Sequence, residues 1–90
     1  MVKVFPADMF GPAYLRAVKA PLSDARLMPT GGVRLDNVEE WRAAGADAYG
    51  VGSPLFAKDK VLSQDWDWVE SQCRQFRARL GALAQEDPPR

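Results

Sequence analysis

Three short β-prone runs begin near residues 2, 26 and 48, and each leads into a helix-type stretch through a turn rich in glycine or proline. Little more than twenty residues separate the onsets, enough for one strand, one helix and two short loops. Such spacing predicts β-α-β-α-β-α with parallel strands. Three parallel strands do not close a barrel. The chain is therefore either a small open sheet or the last part of a larger (β/α) barrel.

The first run, Val2 to Phe5, leads through a turn-rich Ala7 to Gly11 to Pro12, a favoured first helical residue, with Pro21 marking the end of that helix. The second, Arg26 to Pro29, reaches Thr30-Gly31-Gly32-Val33. Asp36, with Glu39 three residues on, has the spacing of a capping box, and Gly45 sits where a helix C-terminal cap is expected. The third run, Ala48 to Val51, passes into Gly52-Ser53-Pro54. Ser63 is the expected N-cap of a last helix whose apolar stripe is Trp66, Val69, Cys73, Phe76, Leu80 and Leu83. Residues 1–84 form one unit on this reading, and Gln85 to Arg90 read as a frayed, flexible tail.

Twelve basic and twelve acidic side chains cancel, so no electrostatic footprint for nucleic acid or an anionic membrane is present. No apolar run approaches the length of a membrane span. With one cysteine, Cys73, no intrachain disulfide forms, and a reducing, cytoplasmic setting fits. The chain has no histidine, which removes His-based zinc sites and Ser-His-Asp triads from it. Cys73 then reads as core packing on the apolar face of the last helix.

Lys3 stands between Val2 and Val4 and points to the face opposite theirs, toward solvent or toward a secluded interior. In a low-dielectric interior the ammonium form is disfavoured, and the neutral amine can attack a carbonyl to form a Schiff base. The ends of parallel strands gather at one side of the sheet, where Phe5-Pro6, Thr30-Gly31-Gly32 and Gly50-Val51-Gly52-Ser53 would meet. Glycines without Cβ let a phosphate oxygen approach backbone amides. Ser53 either contacts that phosphate or caps the backbone at Pro54 and Leu55.

The order and identity of these residues resemble the C-terminal part of the 2-keto-3-deoxy-6-phosphogluconate and 2-keto-3-deoxy-6-phosphogalactonate aldolases. Val2-Lys3-Val4-Phe5-Pro6-Ala7 is similar to that family's sixth strand, Pro29-Thr30-Gly31-Gly32-Val33 to its seventh, and Gly50 to Phe56 to its last strand and loop. Phe10-Gly11-Pro12-Ala13-Tyr14-Leu15, Asp36-Asn37-Val38 and Ala44-Gly45-Ala46 are closer to the phosphogalactonate branch. Tyr49 departs from the pattern, which usually has a smaller aliphatic residue there.

The resemblance implies the last three β/α units of a (β/α)8 TIM barrel, and a metal-free, cofactor-free class I aldolase. Its substrate would be a phosphorylated sugar acid, cleaved to pyruvate and glyceraldehyde 3-phosphate. Lys3 would form the Schiff base, Gly31, Gly32, Gly52 and Ser53 would hold the 6-phosphate, and Phe5, Pro6 and Thr30 would line the pocket. The family implies a cytoplasmic homotrimer. Its general acid/base glutamate comes from earlier strands, and Asp8, Asp36 and Asp47 match no catalytic position, so this chain alone is expected to be inactive. The chain also opens almost directly inside a strand, which suggests a piece of a longer protein. The rival reading is a non-catalytic phosphate-binding or assembly module.

Overall fold

A computed structural model describes residues 1–84; residues 85–90, read above as a tail, lie outside the described residues. The elements in chain order are β1 (Val2–Val4), α1 (Ala7–Phe10), α2 (Pro12–Lys19), β2 (Leu27–Pro29), α3 (Val38–Ala43), α4 (Lys58–Leu62) and α5 (Trp66–Ala84). β1 and β2 are parallel, with Val2 opposite Leu27, Lys3 opposite Met28 and Val4 opposite Pro29. The alternation of helix and parallel strand is the α/β arrangement expected from the spacing of the runs.

The third run is not a regular strand. Asp47 N–H donates to the Leu27 carbonyl (2.9 Å) and Gly50 N–H to the Pro29 carbonyl (2.9 Å), so three residues advance on one side against two on the other. The extra residue interrupts the ladder as a bulge does. What remains is a single parallel bridge between Thr30 and Gly50.

Ala7, Leu15, Leu27, Val33, Val38, Trp41, Ala44 and Leu83 form the core, with Val4, Val18, Tyr49 and Leu80 packed against it. Pro12 opens α2 as expected, and Leu15 and Val18, three apart, turn the same helical face inward. Tyr49 fills part of this core, and burial raises its hydroxyl above 10.0, the Arg42 charge opposing the rise and the Asp47 charge adding to it. Among the described residues no helix is long and apolar enough to cross a membrane.

Three local expectations need correction. Asp36 is not the cap of α3: its carboxylate pairs with Arg34 Nε at 3.0 Å, and Asn37 is the residue before the helix. Glu39 pairs instead with Arg79, tying α3 to α5. Ser63 does not start the last helix either; it ends the unanticipated α4, while Asp65 Oδ1 accepts the Trp68 N–H (3.1 Å) and caps α5. Cys73, expected in the core, is exposed, as is Trp66. At 3.6 residues per turn these two lie roughly 60° to 80° around the helix from Phe76. Val69, Phe76, Leu80 and Leu83 of the expected stripe are buried or half-buried, and Trp68 and Gln72 join them on the inward face.

Asp47 joins the two layers. Its Oδ2 accepts from Lys19 Nζ at 2.7 Å and from the Leu27 N–H at 2.9 Å, so one carboxylate ties the end of α2 to the start of β2. Desolvation alone would raise its pKa, but the Lys19 and Leu27 hydrogen bonds and the Lys19 and Arg26 charges outweigh it and hold the group below 3.8. A carboxyl depressed in the folded state contributes stability above its unfolded pKa and loses it as pH falls through the folded one. Asp47→Ala is expected to cost about 1–2 kcal/mol at pH 7 through the lost hydrogen bonds. Asp47→Asn, still able to accept from Leu27, costs about 0.5 kcal/mol. Urea denaturation at pH 7 and pH 3 checks this, with Asp47→Asn and the parent chain converging at the lower pH.

Candidate active site

Alternation along the strands places Lys3 and Phe5 with Met28 and Thr30 on one face, and Val2 and Val4 with Leu27 and Pro29 on the other. The second face meets the core, where Leu27 and Pro29 are buried. On the first face Lys3 Nζ lies 5.5 Å from the centroid of the Phe5 ring. Lys3 is exposed rather than secluded. Among the described residues β1 has a neighbouring strand on one side only, so this lysine keeps its access to water.

The pairing of β1 with β2 continues past the strand ends. Thr30 N–H donates to the Val4 carbonyl (2.9 Å), and the amides of Ala7 and Asp8 then donate to the carbonyls of Thr30 (2.8 Å) and Gly31 (3.1 Å). The loop carrying Phe5 and Pro6 is thereby laid against the Gly31-Gly32 turn. Both glycines have positive φ, +92° and +83°. A Cβ at Gly32 would stand 2.4 Å from Asp8 Cβ, and one at Gly31 3.3 Å from the Phe5 ring. Gly32 therefore combines a left-handed backbone with a close approach that only glycine allows.

The Thr30 to Gly50 bridge sets the third segment beside this turn, so the chain leading to Gly52-Ser53 leaves from a neighbouring end. Gly50 is the requirement that sequence reasoning missed: a Cβ there would stand 2.2 Å from Thr30 Oγ1. The β-prone residues around it read as strand, and the close approach of Thr30 was the signal hidden in a glycine inside a strand pattern. Gly52 and Ser53 are exposed, and a Cβ at Gly52 meets nothing within 4 Å. The Leu55 and Phe56 amides both donate to the Gly52 carbonyl (2.9 and 3.1 Å), so that carbonyl, not the Ser53 hydroxyl, closes the turn. Ser53 borders a groove with Arg34, Leu35, Pro54, Trp68 and Phe76. A wider cleft, lined by Arg16, Lys19, Arg42, Gly45 and Asp47 among others, lies at the opposite end of β2 and includes none of the expected site residues.

The description "KDPG and KHG aldolase" belongs to the family model that matches residues 1–72. The chain belongs to this aldolase family. The 2-dehydro-3-deoxy-6-phosphogalactonate aldolase of Escherichia coli is 43% identical over 56 residues, 61% of this chain and 27% of that protein. The 2-dehydro-3-deoxy-phosphogluconate aldolase of Pseudomonas aeruginosa is 38% identical over 79 residues, 87% of this chain and 36% of that protein. A solved structure described as "Native KDPGal structure" superposes with a TM-score of 0.66 at 31% identity, covering 88% of this chain and 39% of that one. The chain thus spans about a third of the length of the curated relatives it matches.

The two glycines of the third segment make opposite demands, and that contrast is measurable. Gly50→Ala is expected to cost about 2 kcal/mol, because the new methyl overlaps the Thr30 side chain. Gly52→Ala changes stability by no more than about 0.5 kcal/mol. Thermal melts of the two variants side by side check both.

Proposed function

We propose that this chain supplies the last three β/α units of a (β/α)8-barrel class I aldolase acting on 2-keto-3-deoxy-6-phosphogalactonate. The observation that carries the reading is the placement of Lys3 on the strand face that ends in Thr30 and the Gly31-Gly32 turn, in a chain of the KDPG and KHG aldolase family. On this reading the Lys3 amine adds to the C2 carbonyl, and loss of water gives a protonated imine. The C3–C4 bond then breaks with its electron pair flowing into the imine, releasing glyceraldehyde 3-phosphate and leaving the enamine of pyruvate on Lys3. Protonation of the enamine and hydrolysis return the free lysine and pyruvate. The proton transfers need a general acid/base that the resemblance assigns to earlier strands, a contribution typically worth about 10²–10⁴ in rate.

The amides of Gly31, Gly32, Gly52 and Ser53 would receive the 6-phosphate, and Phe5, Pro6 and Thr30 would line the pocket. The phosphogalactonate assignment is supported by Phe10-Gly11-Pro12-Ala13-Tyr14-Leu15 and by the 43% identity to the Escherichia coli relative. The longer match to a phosphogluconate aldolase supports the second reading, the C4 epimer of the same substrate. The exposed Lys3 and the open edge of β1 fit a lysine that further strands seclude in the complete barrel. A cytoplasmic homotrimer is part of the same proposal.

Borohydride reduction in the presence of pyruvate is expected to add a stable mass to the peptide carrying Lys3 in the complete enzyme. Peptide mapping reads it, and labelling confined to Lys19, Lys58 or Lys60 rejects the assignment. For the phosphate, Gly52 is a cleaner probe than Gly32, since a side chain at Gly32 collides with Asp8 while Gly52 has open space around it. Gly52→Val is expected to raise KM about tenfold for the phosphorylated substrate, the equivalent of one lost charge-assisted hydrogen bond. The nonphosphorylated analogue keeps its KM, and an equal loss on both substrates rejects the phosphate role.

A further inference from the structure

Asn37 precedes α3, yet its side chain makes no cap hydrogen bond to that helix and turns back onto the glycine turn. Its Oδ1 accepts the Arg34 N–H at 2.7 Å, and its Nδ2 donates to the Gly32 carbonyl at 2.7 Å. The orientation of the amide follows from the partners: a backbone N–H only donates and a carbonyl only accepts. One side chain thus closes a loop between residues 32, 34 and 37.

The consequence lies in the peptide planes. In a trans peptide the C=O of one residue and the N–H of the next point in opposite directions. Three consecutive carbonyls are anchored here, Thr30 by the Ala7 amide, Gly31 by the Asp8 amide and Gly32 by the Asn37 side chain. The N–H groups that follow them, on Gly31, Gly32 and Val33, are each turned away from their anchors. Among the described residues none of the three has an acceptor. Val33 is buried, so Gly31 and Gly32 carry the amides open to a ligand, and successive backbone N–H groups in a turn can bind an anion. Two of the anchors are backbone groups available to any sequence; Asn37 is the anchor that a side chain supplies.

We propose that Asn37 is a positioning residue for phosphate binding: by holding the Gly32 carbonyl it fixes the turn in which the Gly31 and Gly32 amides would receive the phosphate. This rests on the reading of the Gly31-Gly32 turn as the phosphate site, and it adds Asn37 to it.

The test is a ¹H–¹⁵N spectrum of the full chain, alone and titrated with inorganic phosphate, for the parent, Asn37→Ser and Asn37→Asp. Serine keeps a favourable residue before the helix but is too short to reach the Gly32 carbonyl. Aspartate keeps the acceptor for Arg34 and loses the donor, adding a charge. Without phosphate, both variants are expected to shift the Gly31, Gly32 and Val33 amides while signals from α2 and α5 stay in place. Unchanged signals at those three residues overturn the positioning role whatever phosphate does, and global loss of dispersion in one variant leaves the other to decide. With phosphate, the parent is expected to respond at Gly31 and Gly32, and both variants to bind about tenfold more weakly, the equivalent of one hydrogen bond. Parent-like affinity in Asn37→Ser alongside weak binding in Asn37→Asp overturns the proposal, because charge alone then explains the loss. No phosphate response in the parent rejects the phosphate reading itself, and the ligand-free spectra still decide whether Asn37 sets the turn.

Discussion

The structure depends on hydrogen bonds that carry the pairing of β1 and β2 beyond the strands. Two three-residue strands fix few backbone groups, and a two-stranded ribbon is marginal by itself. The amides of Ala7 and Asp8, donating to the carbonyls of Thr30 and Gly31, prolong the contact into the loops. This extension seats α1 against the glycine turn and buries Ala7 in the core. It also excludes a side chain at Gly32, whose Cα faces Asp8. Loop packing and site geometry are therefore one set of contacts, and a change in either alters both.

Much of this was legible in the sequence. Pro12 marked the start of α2, Gly45 the end of α3 with its φ of +106°, and the spacing of the runs gave a parallel sheet. What was not legible depended on tertiary partners. Asp36 and Asn37 are both good residues before a helix; Arg34 draws the first away and the Gly32 carbonyl occupies the second. Cys73 lies on the apolar stripe of α5, but the helix packs through a face rotated toward Trp68 and Gln72, a rotation that periodicity does not specify. Gly50 reads as part of the third β-prone run, and only the nearness of Thr30 shows why that position has to be glycine. Periodicity reports which elements exist, whereas caps, bulges and glycine contacts report how neighbouring elements meet.

The exposed large apolar residues are spread along the chain, with Leu22, Phe56, Leu62 and Trp66 among them. Met1, Val2, Phe5, Met9, Phe10 and Tyr14 are 43% to 77% exposed, and all belong to β1, α1 and α2 or adjoin them. The Phe10 and Tyr14 rings stack, with centroids 4.8 Å apart, so part of this surface is already ordered. Among the described residues one edge of β1 has no strand partner, and free backbone groups at such an edge invite another strand. On the aldolase reading, the same covering strand would seclude Lys3.

That geometry separates two requirements of the proposed chemistry. The Gly31-Gly32 turn, the phosphate site on the proposed reading, is held by contacts internal to this chain, its carbonyls and that of Thr30 being met by Ala7, Asp8 and Asn37. Imine formation on the proposed reading calls for a lysine secluded from water. Lys3 is exposed here, its Nζ 5.5 Å from the centroid of the Phe5 ring. On the proposed reading the phosphate half would be shaped by this chain's own loops after β2 and the third segment, while the reactive half would depend on what lies across the edge of β1. An α/β sheet can divide its labour in this way because each strand end is shaped chiefly by its own loop, whereas the environment of a side chain on the sheet face is set by the strands on both sides. The rival binding-module reading and the aldolase reading accordingly share the glycine turn and part company at Lys3.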